Sequence, residues 1–194
     1  GFVDLLLYHR DDNSATMLLG VGDGTFTRGP HWQMRVVQGG LASAPVFTDL
    51  DGDGALDLAM SDGSIMMGRG DGSFVDRWYF GPSANLQVGD LNRDGAPDLV
   101  LGGQTRDLYV HLGVGDGSFR PRLVMPIPPF GLSPIALGDF DGDDLPDLLG
   151  IYSEMQFLKG NGDGTFRAPI VIPQTLGGYV ALGDLDLDGA LDFV

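Results

Sequence analysis

The sequence predicts an all-β fold of repeated four-stranded antiparallel sheets, a β-propeller, and three observations carry that expectation. Gly occurs 32 times and Pro 12 times, whereas Glu and Lys, both strong helix formers, occur once each as Glu154 and Lys159. An acidic loop recurs four times, its first aspartate at positions 49, 90, 139 and 184, giving spacings of 41, 49 and 45 residues. A Gly-x-Gly-Asp-Gly-Thr/Ser-Phe segment keeps step with it at residues 20–26, 68–74, 113–119 and 160–166. Self-similarity at such a period marks a propeller, solenoid or array. No segment shows helical periodicity.

The elements of one unit follow in order. Ala44 to Thr48 enters the acidic loop as a strand, and Leu56 to Ser61 leaves it as a second. Asp62-Gly63 supplies a tight turn into Ser64 to Gly68. A hairpin at Asp71-Gly72, with both central residues at positive φ, then leads into Ser73 to Phe80. Four antiparallel strands make a propeller blade, too thin to bury both faces alone and therefore stacked on its neighbours. Gly89, Gly138 and Gly183 are expected near strand starts, letting blades approach at the axis.

The array divides into approximate repeats 1–43, 44–84, 85–133 and 134–178, with the start of a further repeat at 179–194. Gly1-Phe-Val-Asp4 aligns with positions 6 to 9 of an acidic loop, so the strands number three, four, four, four and two. That exceeds four closed blades by one strand. The expectation is an excerpt of a longer propeller, completed by further blades of the same polypeptide or by another subunit.

The acidic loops carry the chemistry. Positions 1, 3, 5 and 9 are Asp49, Asp51, Asp53 and Asp57 in the first loop, and Asp90, Asn92, Asp94 and Asp98 in the second. They are Asp139, Asp141, Asp143 and Asp147 in the third, and Asp184, Asp186, Asp188 and Asp192 in the fourth. Side chains so placed on a turning loop converge, and without a cation they repel. An all-oxygen donor set on a flexible loop suits Ca2+ better than Mg2+, which demands octahedral geometry and keeps its waters. An EF-hand is excluded, because it needs a bidentate Glu at position 12, where these loops have Met60, Leu101 and Gly150.

Charge and composition narrow the function. The chain has 11 Lys+Arg against 27 Asp+Glu, a net charge of −16, which excludes nucleic acid as a partner. Four bound Ca2+ would halve that excess to −8. With no Cys there is neither a disulfide framework nor a thiol nucleophile. The longest uncharged stretches, such as Leu123 to Gly138 with Pro126, Pro128, Pro129 and Pro134, are broken by prolines, so no membrane span is expected. A first residue Gly1 in place of Met, with no signal segment, reads as a processed or excised chain.

No catalytic constellation separates from the acidic loops. His9, His31 and His111 lie at unequal phase in the repeats and read as surface or strand residues. Arg69-Gly70-Asp71 spells an adhesion tripeptide, yet Arg69 sits at the variable hairpin position held elsewhere by Val21, Val114 and Asn161, so the turn accounts for it. Trp32, Trp78, Tyr79, Tyr109, Tyr152 and Tyr179 fit strand packing between blades.

The four loops, their lead-ins Val88-Gly89-Asp90, Leu137-Gly138-Asp139 and Leu182-Gly183-Asp184, and the Gly-x-Gly-Asp-Gly-Thr/Ser-Phe turns together resemble the FG-GAP/VCBS repeats of integrin α-subunit propellers and many secreted microbial proteins. The resemblance covers essentially the whole chain. It implies structural calcium, bound by the four side chains of each loop and by the position-7 carbonyls of Ala55, Ala96, Leu145 and Ala190. It also implies a seven-bladed parent propeller.

Three residues depart from the pattern: Thr48 replaces the lead-in Gly, Asn92 replaces an Asp, and Asp144 stands where the other loops have Gly. The second loop is therefore expected to bind most weakly and the third to stay competent. Extracellular loops of this kind bind calcium at roughly 10⁻⁴ to 10⁻³ M, which places the chain in an extracellular, cell-surface or periplasmic setting. The expected function is a non-catalytic calcium-stabilised module recognising a protein or glycan. The alternative is the propeller portion of a secreted polysaccharide-degrading enzyme.

Overall fold

The computed structural model describes residues 2–9, 11–33, 45–81, 85–102, 106–127, 132–151 and 154–173, together with strands at 182–183 and 192–193. Regular structure among them is entirely β. A three-stranded sheet comprises β1 (Leu5–His9), β2 (Ser14–Gly20) and β3 (Phe26–Gln33). A four-stranded sheet follows, with β4 (Val46–Thr48), β5 (Asp57–Ala59), β6 (Ser64–Gly68) and β7 (Phe74–Tyr79). The next holds β8 (Asn85–Gly89), β9 (Asp98–Gly102), β10 (Asp107–His111) and β11 (Leu123–Pro126). Then come β12 (Ser133–Gly138), β13 (Asp147–Ile151), β14 (Met155–Leu158) and β15 (Ile170–Ile172), and a closing pair, β16 (Leu182–Gly183) and β17 (Asp192–Phe193).

Every sheet is antiparallel and its spatial order follows the chain, as in a propeller blade. One register repeats throughout. The residue before each acidic loop pairs with the loop's ninth: Thr48 with Asp57, Gly89 with Asp98, Gly138 with Asp147 and Gly183 with Asp192. The acidic loop thus always joins the first two strands of a blade. Gly89, Gly138 and Gly183 end those first strands instead of starting them. A Cβ on Gly89 would lie 3.4 Å from Leu137, a distance that leaves room for a methyl, so glycine is not required there for the sheets to meet.

Burial grades across each blade. The second strands are the most buried, at every residue of β5 and β9, each with a hydrogen-bonded strand on both edges. Outer strands β7 and β15 are largely exposed. Two compact units result, one of residues 1–49 and 53–82, the other of residues 50–52 and 83–194. In the first, Ala15, Leu58, Met60 and Met66 form a cluster joined by Leu6, Tyr8, Trp32 and Phe74. In the second, Val100, Leu108, Val110, Leu132, Leu148 and Leu158 share one core, and Asn85 Nδ2 donates to Ser133 Oγ at 2.7 Å between β8 and β12.

The hairpins differ from the two-residue turn expected of Asp-Gly. Positive φ falls on the glycines either side of the aspartate, 93° and 86° at Gly22 and Gly24, while the aspartate itself is not left-handed. The loop is Gly-Asp-Gly, closed by Val21 N–H donating to the Thr25 carbonyl at 3.0 Å, with the same bond from Arg69 to Ser73, Val114 to Ser118 and Asn161 to Thr165. The aspartate instead turns back on the chain: Asp23, Asp71, Asp116 and Asp163 accept the N–H two residues on at 2.9 to 3.0 Å.

The glycine that opens each hairpin is sterically fixed. A Cβ would stand 2.4 Å from the Val3 carbonyl at Gly20, and 2.2 Å from the Leu56, Pro97 and Pro146 carbonyls at Gly68, Gly113 and Gly160. Gly113→Ala is therefore expected to cost about 3 kcal/mol in urea unfolding. His111 ends β10 at 6% exposure, edge-on to Phe119. Burial, then the nearby Arg122 charge, pull its pKa down to about 4. The folded imidazole is neutral, so its contribution is intact above the unfolded value near 6.5 and drains as pH falls towards 4. Between pH 7 and pH 5 this amounts to about 2 kcal/mol, which the His111→Gln variant should not lose.

Candidate metal centre

Each described acidic loop is wound by its own carboxylates. The position-1 carboxylate accepts the position-6 amide: Asp49 from Gly54 at 2.9 Å, Asp90 from Gly95 at 2.9 Å and Asp139 from Asp144 at 2.7 Å. The position-5 carboxylate accepts the position-7 amide: Asp53 from Ala55 at 2.7 Å, Asp94 from Ala96 at 3.0 Å and Asp143 from Leu145 at 3.0 Å. These bonds fold the chain into a ring with the side-chain oxygens gathered to one side. Asp184, Asp186, Asp188 and Ala190 lie outside the described residues, and Asp192 is placed only as the strand partner of Gly183.

Position 9 does something the sequence did not suggest. Asp57, Asp98 and Asp147 are at most 1% exposed. One oxygen of each accepts the N–H of the glycine opening the hairpin: Gly68 at 2.8 Å, Gly113 at 2.7 Å and Gly160 at 2.8 Å. In the second and third loops the other oxygen accepts the position-2 amide, from Leu91 at 2.8 Å and Phe140 at 3.1 Å. Asp4 makes the same bond to Gly20 at 2.8 Å, so it occupies position 9 of the partial first copy. This carboxylate ties loop to hairpin within each blade. A carboxylate has about four acceptor directions, so two amides leave room for a metal.

The charge balance favours nearby positive charge. Burial pushes the Asp98 carboxyl up against the opposing amides of Gly113 and Leu91, with Asp94 and Asp90 adding to the rise. Asp147 behaves alike, with Asp141 and Asp143 adding. A carboxyl raised in the fold supports folding only in its protonated range, so at neutral pH these buried anions weigh against the fold until positive charge arrives. Two carboxylate groups could hold a metal ion, Asp49 with Asp51 and Asp53, and Asp139 with Asp141 and Asp147; in each, oxygens lie within 4.8 Å of one another. All donors are hard oxygens, the set a hard divalent cation takes.

Protein cations already approach two of the loops. Lys159 Nζ donates to Asp141 and lies 3.0 Å from Asp143 Oδ2. Both bonds raise the Lys159 ammonium, and the one to Asp143, with the Leu145 amide, holds the Asp143 carboxyl low. In the second loop Asn92 Nδ2 donates to Asp94 at 2.9 Å, and Arg120 stands 3.7 Å from the same carboxylate. Sequence reasoning missed Lys159, although it is the chain's single lysine and stands where the other repeats carry Leu19, Met67 and Leu112.

Two backbone positions per described loop are left-handed. Position 4 has φ of 75° at Gly52, 60° at Arg93 and 77° at Gly142; position 6 has 86° at Gly54, 85° at Gly95 and 63° at Asp144. The non-glycine residues at these sites meet each other, Arg93 Nη2 donating to the Asp144 carbonyl. Two histidines also meet, unforeseen from their spacing: His9 Nε2 and His31 Nδ1 each lie 2.9 Å from Thr16 Oγ1. Asp71 of the adhesion-like tripeptide is engaged with Ser73 in its turn, at 2.9 Å.

Two substitutions check this geometry in metal-free solution. Asp98→Ala strands two amides and should cost about 3 kcal/mol by urea unfolding. Arg93→Gly removes a strained side chain and should gain about 1 kcal/mol, less whatever its Asp144 contact supplies. A loss on Arg93→Gly would mean that the contact outweighs the strain.

A family model for FG-GAP-like repeats matches residues 1–60 and 90–150, more than half of the chain. No curated protein matches. Among solved structures, one described as the basis of specific recognition of non-reducing terminal N-acetylglucosamine by an Agrocybe aegerita lectin is similar, with a TM-score of 0.56 at 23% identity. The match covers 82% of this chain and 46% of that one, so the chain spans less than half of the lectin's length. At that identity the likeness speaks for the fold. Blade order, loop register and repeat match agree: the chain belongs to the FG-GAP-like repeat family and its sheets are β-propeller blades.

Proposed function

We propose that this chain is a non-catalytic, calcium-stabilised glycan-recognition module that works outside the cytosol. The observation that carries the calcium part is the repeated gathering of hard oxygens, as in Asp49, Asp51 and Asp53, on loops already wound by their own amides. The expected ligands are the side chains at positions 1, 3, 5 and 9 with the position-7 carbonyl, and the residues fit that role. The bound ion would neutralise the loop and brace the first two strands of its blade. Millimolar-range binding of this kind is useful where calcium is abundant, which supports the extracellular or periplasmic setting.

Support for a glycan comes from the lectin neighbour and from one cavity. A pocket of about 460 Å3 in the first unit is lined by Phe2, Phe47 and Phe74, with Asp4 and Arg69 at hand. Aromatic faces for the apolar side of a sugar, with a few polar groups to fix orientation, is the usual balance of a small-ligand site. Elsewhere Arg122 stands 4.8 Å over the Tyr109 ring, a second mixed aromatic and cationic surface. Phe47 is 38% exposed and open to contact.

The test uses the full-length protein on a glycan array and on beads bearing terminal N-acetylglucosamine, each with calcium and with EDTA. Binding is expected with calcium and lost with EDTA. Phe47→Ala and Arg69→Ala should weaken capture about tenfold without moving the melting temperature. Capture of no glycan in calcium would refute the glycan reading and leave a protein partner as the module's target.

A further inference from the structure

We propose that Lys159 is a built-in counter-ion for the third acidic loop, keeping it neutralised without metal and making it the last of the three described loops to take calcium. The inference rests on the calcium reading above. Lys159 stands immediately before Gly160, the glycine that opens the fourth hairpin, where the other copies carry Leu19, Met67 and Leu112. Those residues are apolar and offer a loop no charge. Lys159 reaches across its own sheet to Asp141 and Asp143, positions 3 and 5 of the loop, and its side chain is 23% exposed.

The third loop is also the most acidic, with Asp144 added to Asp139, Asp141, Asp143 and Asp147. An ammonium between two of its carboxylates does electrostatically what a divalent ion would do, with half the charge and no fixed coordination. Calcium entering this loop must displace it. Two charge-assisted bonds are then lost and the lysine must find solvent, a penalty absent from the loop faced by Met67 and larger than that of the second loop, where only the more exposed Arg120, 3.7 Å from Asp94, is to be given up. The ranking expected from sequence alone, with the second loop weakest, is thereby reversed. In return, the third loop holds its shape at low calcium.

Because the chain has one lysine, side-chain labelling with [13C,15N]lysine yields a single probe at the site. In a calcium titration of the full chain, the Lys159 signal should move only with the last equivalents. By calorimetry the weakest site of the wild type should tighten about tenfold in Lys159→Met, the residue the second repeat carries, and Lys159→Gln should behave alike. In EDTA, Lys159→Met should unfold at lower urea than the wild type, and calcium should restore it. Overturning results are a lysine signal that moves with the first equivalents or not at all, or Lys159→Met isotherms that superimpose on the wild type. If the wild type binds no calcium, the calcium reading fails and the ranking with it. A urea midpoint in EDTA still lowered by Lys159→Met would then leave the counter-ion role standing by itself.

Discussion

The ninth-position carboxylate of the acidic loops, buried at Asp57, Asp98 and Asp147, is the constraint from which the rest of a blade follows. Asp57, Asp98 and Asp147 accept the N–H of Gly68, Gly113 and Gly160, and Asp4 accepts that of Gly20. Each bond joins the second strand of a blade to the hairpin between its third and fourth. The contact is so close that the carbonyl of residue 8 sits where a Cβ on the hairpin glycine would be. Glycine is thus fixed by sterics and aspartate by hydrogen bonding, which explains why the two motifs keep step along the sequence.

Burying that carboxylate has an electrostatic cost, and the remaining loop positions enlarge it. Three oxygens within 4.8 Å of one another, in a loop that also contributes a buried anion, favour any arrangement that brings in positive charge. Backbone amides supply part of it, as at Asp90 and Asp139, each of which accepts more than one. Lys159 and Arg120 supply more in their own loops. A divalent ion held by these oxygens could supply the rest.

The sequence disclosed the fold well because every blade repeats one signal. Periodic Asp-rich loops and glycine hairpins gave the strand pattern of three, four, four, four and two that the sheets follow. What stayed hidden depended on contacts between residues far apart in the chain. Nothing in the local spacing of His9 and His31 shows that β1 and β3 bring them to one threonine of β2. The turn at Asp23 was misjudged because Asp-Gly predicts a two-residue loop, whereas the preceding Gly22 takes the left-handed conformation that the aspartate would otherwise adopt. The burial of Asp98 could not be read from its spacing, since burial is a property of the packed sheets.

The proposed role follows the same economy, with ions taking the place of disulfides in bracing a small β array whose surface is left for recognition. Differential scanning calorimetry of the purified chain in calcium and in EDTA tests the central claim most directly. With calcium at tenfold above its dissociation constant, each filled loop adds about 1.4 kcal/mol, so several loops together should raise the melting temperature by many degrees, reversibly. Superimposable melting curves in calcium and chelator would contradict the account.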